Sequence, residues 1–270
     1  MFQSQGFGTF TPTAVLTEAL GQSAINSTVG VAGGIDLEEV EPNTLAVVDG
    51  EWVQVTAVNL IAQTVTLERG LLDTVPVPHA VGARLCFVDG WRFYLTPEYV
   101  QNEVARVKLL PRTPKGTFAE AAATELNLTL AKRFIRPYCP GNVRVKGLRY
   151  PSVITGELSV SWATRNRQSQ TAYLALQTEG SITPEAGQTT TVRLFNEKSV
   201  LVRTLAGLIG SNVTWTLAEE ASDSGLSRIN GHLRIEIEAE RGGHVSWQKQ
   251  VIEFDRAGYG LRYGQYYGGI

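Results

Sequence analysis

The sequence has few cysteines, few histidines and no excess of charge of either sign. With 24 Lys and Arg against 26 Asp and Glu, the formal net charge is -2. This balance argues against the basic surface typical of nucleic-acid binders and against a polybasic membrane-surface segment. The two cysteines, Cys86 and Cys139, lie far apart in the sequence. One disulfide between them is an alternative, but a chain without a secretion signal favours two free thiols.

Catalytic motifs are also missing. The sequence contains no Ser-His-Asp, HExxH or CxxC pattern. His79 lies in a proline-rich loop, far in sequence from His232 and His244, so we interpret it as a residue that holds its loop by a hydrogen bond. The pair Arg69-Gly70 has one glycine where a phosphate-binding loop needs several, and we interpret it as the end of a strand. We therefore predict that the chain is not an enzyme and has no catalytic, cofactor-binding or metal-binding residues.

Targeting signals are absent as well. The first residues show neither the basic segment nor the apolar core of a signal peptide. No apolar run approaches the roughly 20 residues of a membrane-spanning helix. These features predict a protein that is made and folded in a cytoplasm and is not inserted into a membrane.

Strand patterns dominate most of the chain. The dipeptide Asp49-Gly50 separates two alternating segments, 44–48 and 51–58. This arrangement is the strongest short signal for a β-hairpin. Further strand patterns with tight turns occur within 61–94, so we predict a small barrel or compact sheet domain here.

Two segments lack this regular alternation. The first, 1–43, is rich in Gly, Thr and Ser, and a short helix over 11–21 and a loop over 26–34 are predicted within it. The second, 96–135, is interrupted by prolines. It is either a set of short helices or an extended connector, and the sequence leaves both alternatives open.

Regular alternation returns after residue 136. In 158–162, three apolar side chains share one face, and Trp162 is one of them. Further segments continue the pattern with turn residues between them, and Trp162 and Trp215 are predicted to be core residues. About seven strands at this spacing predict a β-sandwich of the fibronectin or immunoglobulin type.

The predicted fold class is therefore mainly β. It combines a small β-barrel-like N-terminal domain with a fibronectin III/immunoglobulin-like β-sandwich, and short helices lie in the linker. The predicted boundaries are an N-terminal arm over 1–43, the barrel-like domain over 44–95, the linker over 96–135, the sandwich over 136–256 and a Gly/Tyr-rich tail over 257–270.

Several short motifs resemble those of tail-tip and baseplate proteins of long-tailed phages and prophages, which carry a fibronectin type III-like C-terminal domain. The resemblance covers about 44–254, and its motifs are ERGLLDT at 68–74, HAVGA at 79–83, VKLLPRTP at 107–114, RPYCPGNV at 136–143, LSVSWATRNR at 158–167, VRL at 192–194 and LVRT at 201–204. Asp73 stands where the family usually has Gly, and Cys139 where it usually has Pro. Such motifs usually belong to much longer proteins, so we expect hub functions to lie on another chain.

The resemblance implies that the chain is a structural component of the virion tail tip and assembles around the tail hub. It also leaves open a role of the chain in host-cell attachment. The implied partners are other tail or baseplate proteins and further copies of the chain, with a trimer favoured by the symmetry typical of tail tips. A host surface receptor or glycan is a further candidate partner. Nucleic acid is not expected as a partner, and no cofactor is implied.

The candidate interface residues lie in one sandwich loop and in the C-terminal tail. They are Arg165, Arg167, Tyr259, Tyr263, Tyr266 and Tyr267. The alternative function is a receptor- or carbohydrate-binding module of a cell-surface recognition protein. The assembly hypothesis predicts that the tail tyrosines are buried against another subunit, whereas the recognition hypothesis predicts an open aromatic platform with polar groups around it.

Overall fold

A computed structural model of the protein describes residues 11–88, 99–170, 173–226 and 228–257. Contacts within the chain divide these residues into two units. One unit contains 99–135, and the other contains the remaining described residues. Both consist mainly of β-strands joined by turns and short helices. The predicted fold class, mainly β, is confirmed.

The first six strands of the described chain form a closed barrel. They are β1 (Thr13–Leu16), β2 (Asn26–Ile35), β3 (Leu45–Val48), β4 (Glu51–Asn59), β5 (Thr64–Glu68) and β6 (Arg84–Phe87). Their order around the barrel is β1-β2-β5-β4-β3-β6, with β6 pairing again with β1. Every pair is antiparallel. Closure removes the open edges that a flat sheet would expose.

Side chains along the strands alternate between the inside and the outside of the barrel, and the inward ones fill its interior. Val53 and Val55 of β4 point inward, as do Val65 and Leu67 of β5, and all four are fully buried. The turn Asp49-Gly50 joins β3 to β4, and its φ angles of 47° and 82° are the positive values that a tight hairpin turn of this type requires. The predicted hairpin and the predicted small barrel are confirmed.

The predictions for the N-terminal segment are wrong in three respects. The predicted helix over 11–21 contains β1, and the predicted loop over 26–34 is β2. Both strands complete the barrel, so from Thr13 onward the predicted arm over 1–43 belongs to the barrel domain. Pairing with β5 and β6 decides the conformation, because a strand position in a closing sheet overrides weak local helix signals. The predicted arm's first ten residues lie outside the described part of the chain.

The unit over 99–135 contains two small antiparallel pairs. Strands β7 (Val104–Lys108) and β10 (Glu125–Thr129) form one pair, and β8 (Arg112–Thr113) and β9 (Gly116–Thr117) form the other. One-turn 3-10 helices lie at Glu120–Ala122 and Arg133–Ile135, and the barrel has a third at Leu37–Glu39. The short helices predicted in the linker are therefore present, although strands form most of its regular structure.

The remaining strands and one α-helix form the sandwich. They are β11 (Gly141–Val145), β12 (Val153–Ile154), β13 (Leu158–Ala163), β14 (Thr189–Phe195), β15 (Leu201–Leu208), β16 (Asn212–Trp215), α1 (Leu217–Ser224), β17 (His232–Arg241), β18 (His244–Val245) and β19 (Gln250–Arg256). One sheet has the order β11-β13-β16 and the other β12-β19-β17-β14-β15, with β18 beside β17. Apart from the short β12 and β18, sheets of three and four strands face each other, which is the architecture of a fibronectin type III domain.

Apolar side chains from both sheets share one core. Trp162 of β13 and Trp215 of β16 are 4% and 1% exposed, so both predicted core residues are confirmed. The helix α1 is fixed at its start by Thr216, whose side chain accepts the N–H of Glu219 while the Glu219 carboxylate accepts the N–H of Thr216. This reciprocal pair satisfies two N–H groups that a helix start leaves without partners.

Both cysteines are free thiols, as predicted. Cys139 is buried in the sandwich, and burial raises the pKa of its thiol to about 12. Such a thiol stays protonated and inert at neutral pH. Within the ranges that the structure describes, no helix has the length and hydrophobicity needed to cross a bilayer.

Candidate functional site

The segment 69–79, here named the junction loop, connects β5 to β6 and is held by one buried carboxylate. Glu51 is the first residue of β4 and is fully buried. Its Oε1 accepts hydrogen bonds from Nε of Arg69 at 3.0 Å and from the backbone N–H of Gly70 at 2.9 Å. Its Oε2 accepts from Nη2 of Arg69 at 2.6 Å and from the N–H of Val77 at 3.0 Å. Glu51 therefore fixes both ends of the loop.

The guanidinium of Arg69 is equally enclosed. Besides the two bonds to Glu51, Nη1 donates to the carbonyl oxygen of Gly21 at 2.6 Å, and Nη2 donates to the carbonyl oxygen of Val77. Its side chain is fully buried. A buried guanidinium is tolerable only when its charge and its N–H groups are compensated, and both are compensated here.

His79 closes the network. Its Nε2 lies 2.9 Å from Oε2 of Glu51, and its Nδ1 lies 2.9 Å from Oδ2 of Asp49. Burial lowers the pKa of His79, but hydrogen bonds to Glu51 and then Asp49 raise it, and the net shift is upward. The prediction that His79 holds its loop by hydrogen bonds is confirmed. Within the described ranges, no cluster of three or more His, Cys, Asp or Glu is arranged to hold a metal ion.

The raised pKa of His79 predicts a dependence of stability on pH. A group whose pKa is higher in the folded state contributes stability that is complete below its unfolded pKa of about 6.5 and is lost as pH rises through the folded pKa. We therefore expect wild type to exceed His79→Gln in free energy of unfolding by more at pH 6 than at pH 8.5. Urea denaturation of the wild type and of His79→Gln at each pH measures the two free energies of unfolding.

A surface histidine provides the control for this experiment. His232 lies 3.0 Å from Asp255 with both side chains largely exposed. Since exposed ion pairs contribute little to folding stability, His232→Gln should change the free energy of unfolding by less than about 1 kcal/mol at each pH. A difference between wild type and His79→Gln that grows with pH would contradict the upward shift.

Glutamine side chains join the outer side of the junction loop to the sandwich. Nε2 of Gln177 donates to the carbonyl oxygen of Gly70 at 2.6 Å, and Oε1 of Gln248 accepts the N–H of Val75 at 2.9 Å. Gln250, which is 1% exposed, donates from Nε2 to Oε1 of Gln177 at 3.2 Å. The barrel therefore holds the junction loop through an ion pair, and the sandwich holds it through hydrogen bonds from glutamine side chains.

Two further contacts extend this junction. Nε2 of Gln22 in the barrel donates to the carbonyl oxygen of Val251 at 2.9 Å. The hydroxyl of Tyr150 donates to Oε1 of Gln250 at 3.2 Å. Burial raises the pKa of Tyr150, and the negative charge of Glu51 raises it further. The Tyr150 hydroxyl therefore remains protonated and available as a donor.

A groove of about 590 Å³ opens beside the junction loop. Val75 and Val77 form its barrel side, and Arg136, Trp247 and Lys249 lie on its sandwich side. Trp247 is 40% exposed, and the guanidinium of Arg136 lies 5.8 Å from the centre of its ring. The groove thus offers an aromatic surface next to charged groups.

The predicted interface residues in the sandwich loop have mainly internal partners. Arg165 is 3% exposed and donates to the carbonyl oxygens of four residues of its own loop region, so the prediction that it faces a partner is wrong. Its four bonds organise the backbone of the loop, which explains its burial. Arg167 lies 3.2 Å from the buried Glu185 and retains 16% exposure, and its role as an interface residue stays a prediction. The candidates Tyr259, Tyr263, Tyr266 and Tyr267 lie outside the described residues.

Sequence reasoning missed the residues that build the junction. Gln177 and Gln248 contact the junction loop across about a hundred residues or more of sequence, and their local patterns give no signal for this. Glu51 did carry a signal. It shares the inward face of β4 with Val53 and Val55, and a charged residue on a buried face must have a compensating partner.

The strand order and the junction define a protein with two β domains, a barrel and a fibronectin type III-like sandwich. No protein-family model and no curated protein matches the chain. Two solved structures give weak similarities. The FN1-FN3 domains of chicken CNTN1 are 12% identical with a TM-score of 0.26, covering 91% of this chain and 69% of that one. The BSP domain of a biofilm-associated protein is 9% identical with a TM-score of 0.23, covering 92% of this chain and 30% of that one. Because these scores are low, the description of the fold rests on the strands themselves.

Proposed function

We propose that the chain is a structural, non-catalytic component of a phage-type tail tip or baseplate. The observation that supports this most directly is the role of the motif at 68–79. The contacts of this motif are internal, because Arg69 and His79 bind Glu51, and Arg69 also binds the backbone, beside the joint between the barrel and the sandwich. A motif whose Arg69 and His79 are used in this way sets the geometry between the barrel and the sandwich.

The contacts at the joint fit a structural role. Domains within one chain usually move relative to each other unless their interface is extensive. Here a buried ionic network holds one side of the junction loop, and Gln177 and Gln248 hold the other. A component of a tail tip has to keep its domains in fixed positions while several copies and several neighbours dock on it.

The proposed partners are other tail or baseplate proteins and further copies of this chain, with a trimer favoured. The proposed location is the distal end of the tail in the virion. Attachment to the host cell is a secondary role within the same proposal. The near-neutral charge of the chain suits docking on protein surfaces more than binding to nucleic acid.

The proposal is tested on tail-bearing particles. Antibodies against the purified chain, applied to phage or tail-like particles from the organism that encodes it, should label the distal tip of the tail in electron micrographs. Mass spectrometry of the same particles should find the chain together with other tail proteins. Unlabelled particles, with the chain confined to the cell surface or to the soluble fraction, would refute the proposal.

A second candidate function is supported by the groove at Trp247. An exposed indole among Arg136, Lys249 and Gln248 is the kind of surface on which a sugar ring stacks while its hydroxyl groups bind polar side chains. This arrangement corresponds to a receptor- or carbohydrate-binding module.

The second candidate predicts a specific loss of binding. On a glycan array, the wild-type chain should bind a defined set of sugars, and Trp247→Ala should weaken that binding several-fold because the stacking surface is removed. The matched control is Tyr173→Ala, which removes an aromatic ring that is 53% exposed but lies outside the groove. Equal binding by wild type and Trp247→Ala would eliminate this candidate.

A further inference from the structure

The loop between α1 and β17 contains Asn230-Gly231, the one Asn-Gly dipeptide in the sequence. Asparagine is chemically labile, and it loses ammonia most readily before glycine, which has no Cβ to obstruct the reaction. The backbone nitrogen of the glycine attacks Cγ of the asparagine and forms an N–Cγ bond. The Cγ–Nδ2 bond breaks, and Nδ2 leaves as ammonia with the proton that the glycine nitrogen gives up. Water then opens the cyclic imide and leaves aspartate or isoaspartate.

The side-chain amide of Asn230 is buried and occupied by hydrogen bonds. Asn230 is 0% exposed. Its Nδ2 donates to Oγ of Ser224 at 2.8 Å and to Oε1 of Glu220 at 3.2 Å. Its Oδ1 accepts the N–H of Glu197 at 3.4 Å. Any rotation of this amide away from its three partners therefore breaks hydrogen bonds in a buried position, which is costly.

The attacking group, the backbone nitrogen of Gly231, is occupied as well. Its N–H donates to Oε2 of Glu197 at 2.7 Å. Hydrogen bonds from Arg228 and then from Gly231 lower the pKa of Glu197, so its carboxylate is ionised at neutral pH. The attack requires the nitrogen to give up its proton, and a negative charge at this distance opposes the development of negative charge on the nitrogen. The native loop therefore restrains both reacting groups.

We propose that Asn230-Gly231 is a deamidation site that the fold keeps closed, and that local opening of the loop between α1 and β17 releases it. The reaction consumes solvent water and releases ammonia. Opening of the loop is reversible, whereas the loss of ammonia is not. The dipeptide therefore converts a transient local opening into a permanent covalent change, wherever the chain is assembled.

The product does not fit the native loop. Glu220 is fully buried, and its Oε2 accepts from Nη2 of Arg256 at 2.7 Å. Aspartate at position 230 would place a second carboxylate beside that of Glu220, where Arg256 supplies one positive charge, and the buried like charges repel each other. Isoaspartate would lengthen the main chain by one methylene group before Gly231, whose carbonyl oxygen accepts the N–H of Arg256 at 2.9 Å. Either product opposes reclosing of the loop.

The rate of deamidation is measured on the purified full-length chain at pH 8.5, with and without urea at a concentration that unfolds it. A proteolytic peptide that contains Asn230 becomes one mass unit heavier on deamidation, and its isoaspartate form elutes separately from its aspartate form. Because the reaction follows the fraction of chains that are open, we expect it to be about a hundredfold slower or more in the native chain than in urea. Equal rates in the two states would overturn the proposal.

Two variants test the hydrogen bond that restrains Gly231. Glu197→Ala removes the acceptor of the Gly231 N–H, so deamidation of the native chain should become about tenfold faster or more. Arg228→Met is the control, because it removes the ion pair with Glu197 and leaves the carboxylate in place, and its rate should stay within about twofold of the wild type. Equal rates in the two variants would overturn the role of this bond. If Glu197→Ala does not fold, the comparison of native and unfolded wild type still decides the proposal.

Asn230→Asp introduces the aspartate product directly. Its equilibrium constant for unfolding, measured by urea denaturation, should rise about a hundredfold or more, because a second carboxylate is buried beside Glu220. Asn212→Asp makes the same change at an exposed position of β16 and should unfold like the wild type. Wild-type stability of Asn230→Asp would show that the product fits the fold and would overturn the permanent effect. Labelling of particles at the tail tip is a separate result that none of these outcomes changes.

Discussion

Replacing Arg69 with methionine should lower the free energy of unfolding by about 3–5 kcal/mol, because the carboxylate of Glu51 would remain buried without its cation. Both side chains are fully buried, and two hydrogen bonds at 3.0 and 2.6 Å join them. Methionine fills similar volume but donates no hydrogen bond. Urea denaturation of the two proteins at pH 7 gives the difference.

A surface pair with comparable geometry provides the control. Arg228 contacts Glu197 through two hydrogen bonds of 3.1 and 2.9 Å, and its side chain is 50% exposed. Because water solvates both groups, Arg228→Met should cost less than about 1 kcal/mol. Equal costs for the two substitutions would show that the junction network is not compensating a buried charge.

The strands that sequence reasoning predicted are those with local signals. Asp49-Gly50 is a turn dipeptide between two alternating segments, and the structure places a hairpin there. In the sandwich, Trp162 lies in a strand whose apolar residues recur every second position. Alternation of apolar residues with a period of two, and a turn that needs positive φ, both depend on a few adjacent residues. A single sequence is therefore sufficient to predict them.

The N-terminal strands were missed because their evidence is not local. The segment over 13–16 pairs with β2 and β6, and β6 lies about seventy residues further along the chain. Its flanking Thr11, Pro12 and Gly21 also fit a short helix, and only barrel closure decides between the two. Strand propensity depends on such neighbours more than helix propensity does.

The junction was only partly predictable for the same physical reason. The hydrogen-bonding role of His79 followed from its loop and from the distance of the other histidines along the sequence. The identity of its partners did not, because Glu51 lies 28 residues away in the sequence. The hydrogen bonds of the Gln177 and Gln248 side chains join residues of different domains. The spacing of residues along one sequence does not predict such contacts.

Gly70 is the point where the ionic and amide contacts of the junction meet. Its N–H donates to Glu51, and its carbonyl oxygen accepts from Gln177. Its φ of 63° lies in the left-handed region, which side chains other than glycine adopt at a cost. A Cβ atom at this position would also lie 2.8 Å from Cγ and 2.9 Å from the backbone nitrogen of Pro76.

Gly70→Ala should therefore combine two costs, backbone strain of about 1 kcal/mol and a steric clash of about 1–3 kcal/mol. Gly225→Ala separates them, because Gly225 has a φ of 62° but no atom within 4 Å of the added Cβ. We expect Gly225→Ala to lower the free energy of unfolding by the strain alone and Gly70→Ala to lower it clearly more, as measured by urea denaturation.

Since Pro76 would have to move with the junction loop, calorimetry of Gly70→Ala should also show the barrel and the sandwich unfolding in separate steps. A single wild-type-like transition with a cost equal to that of Gly225→Ala would mean that the loop adapts and does not fix the two domains.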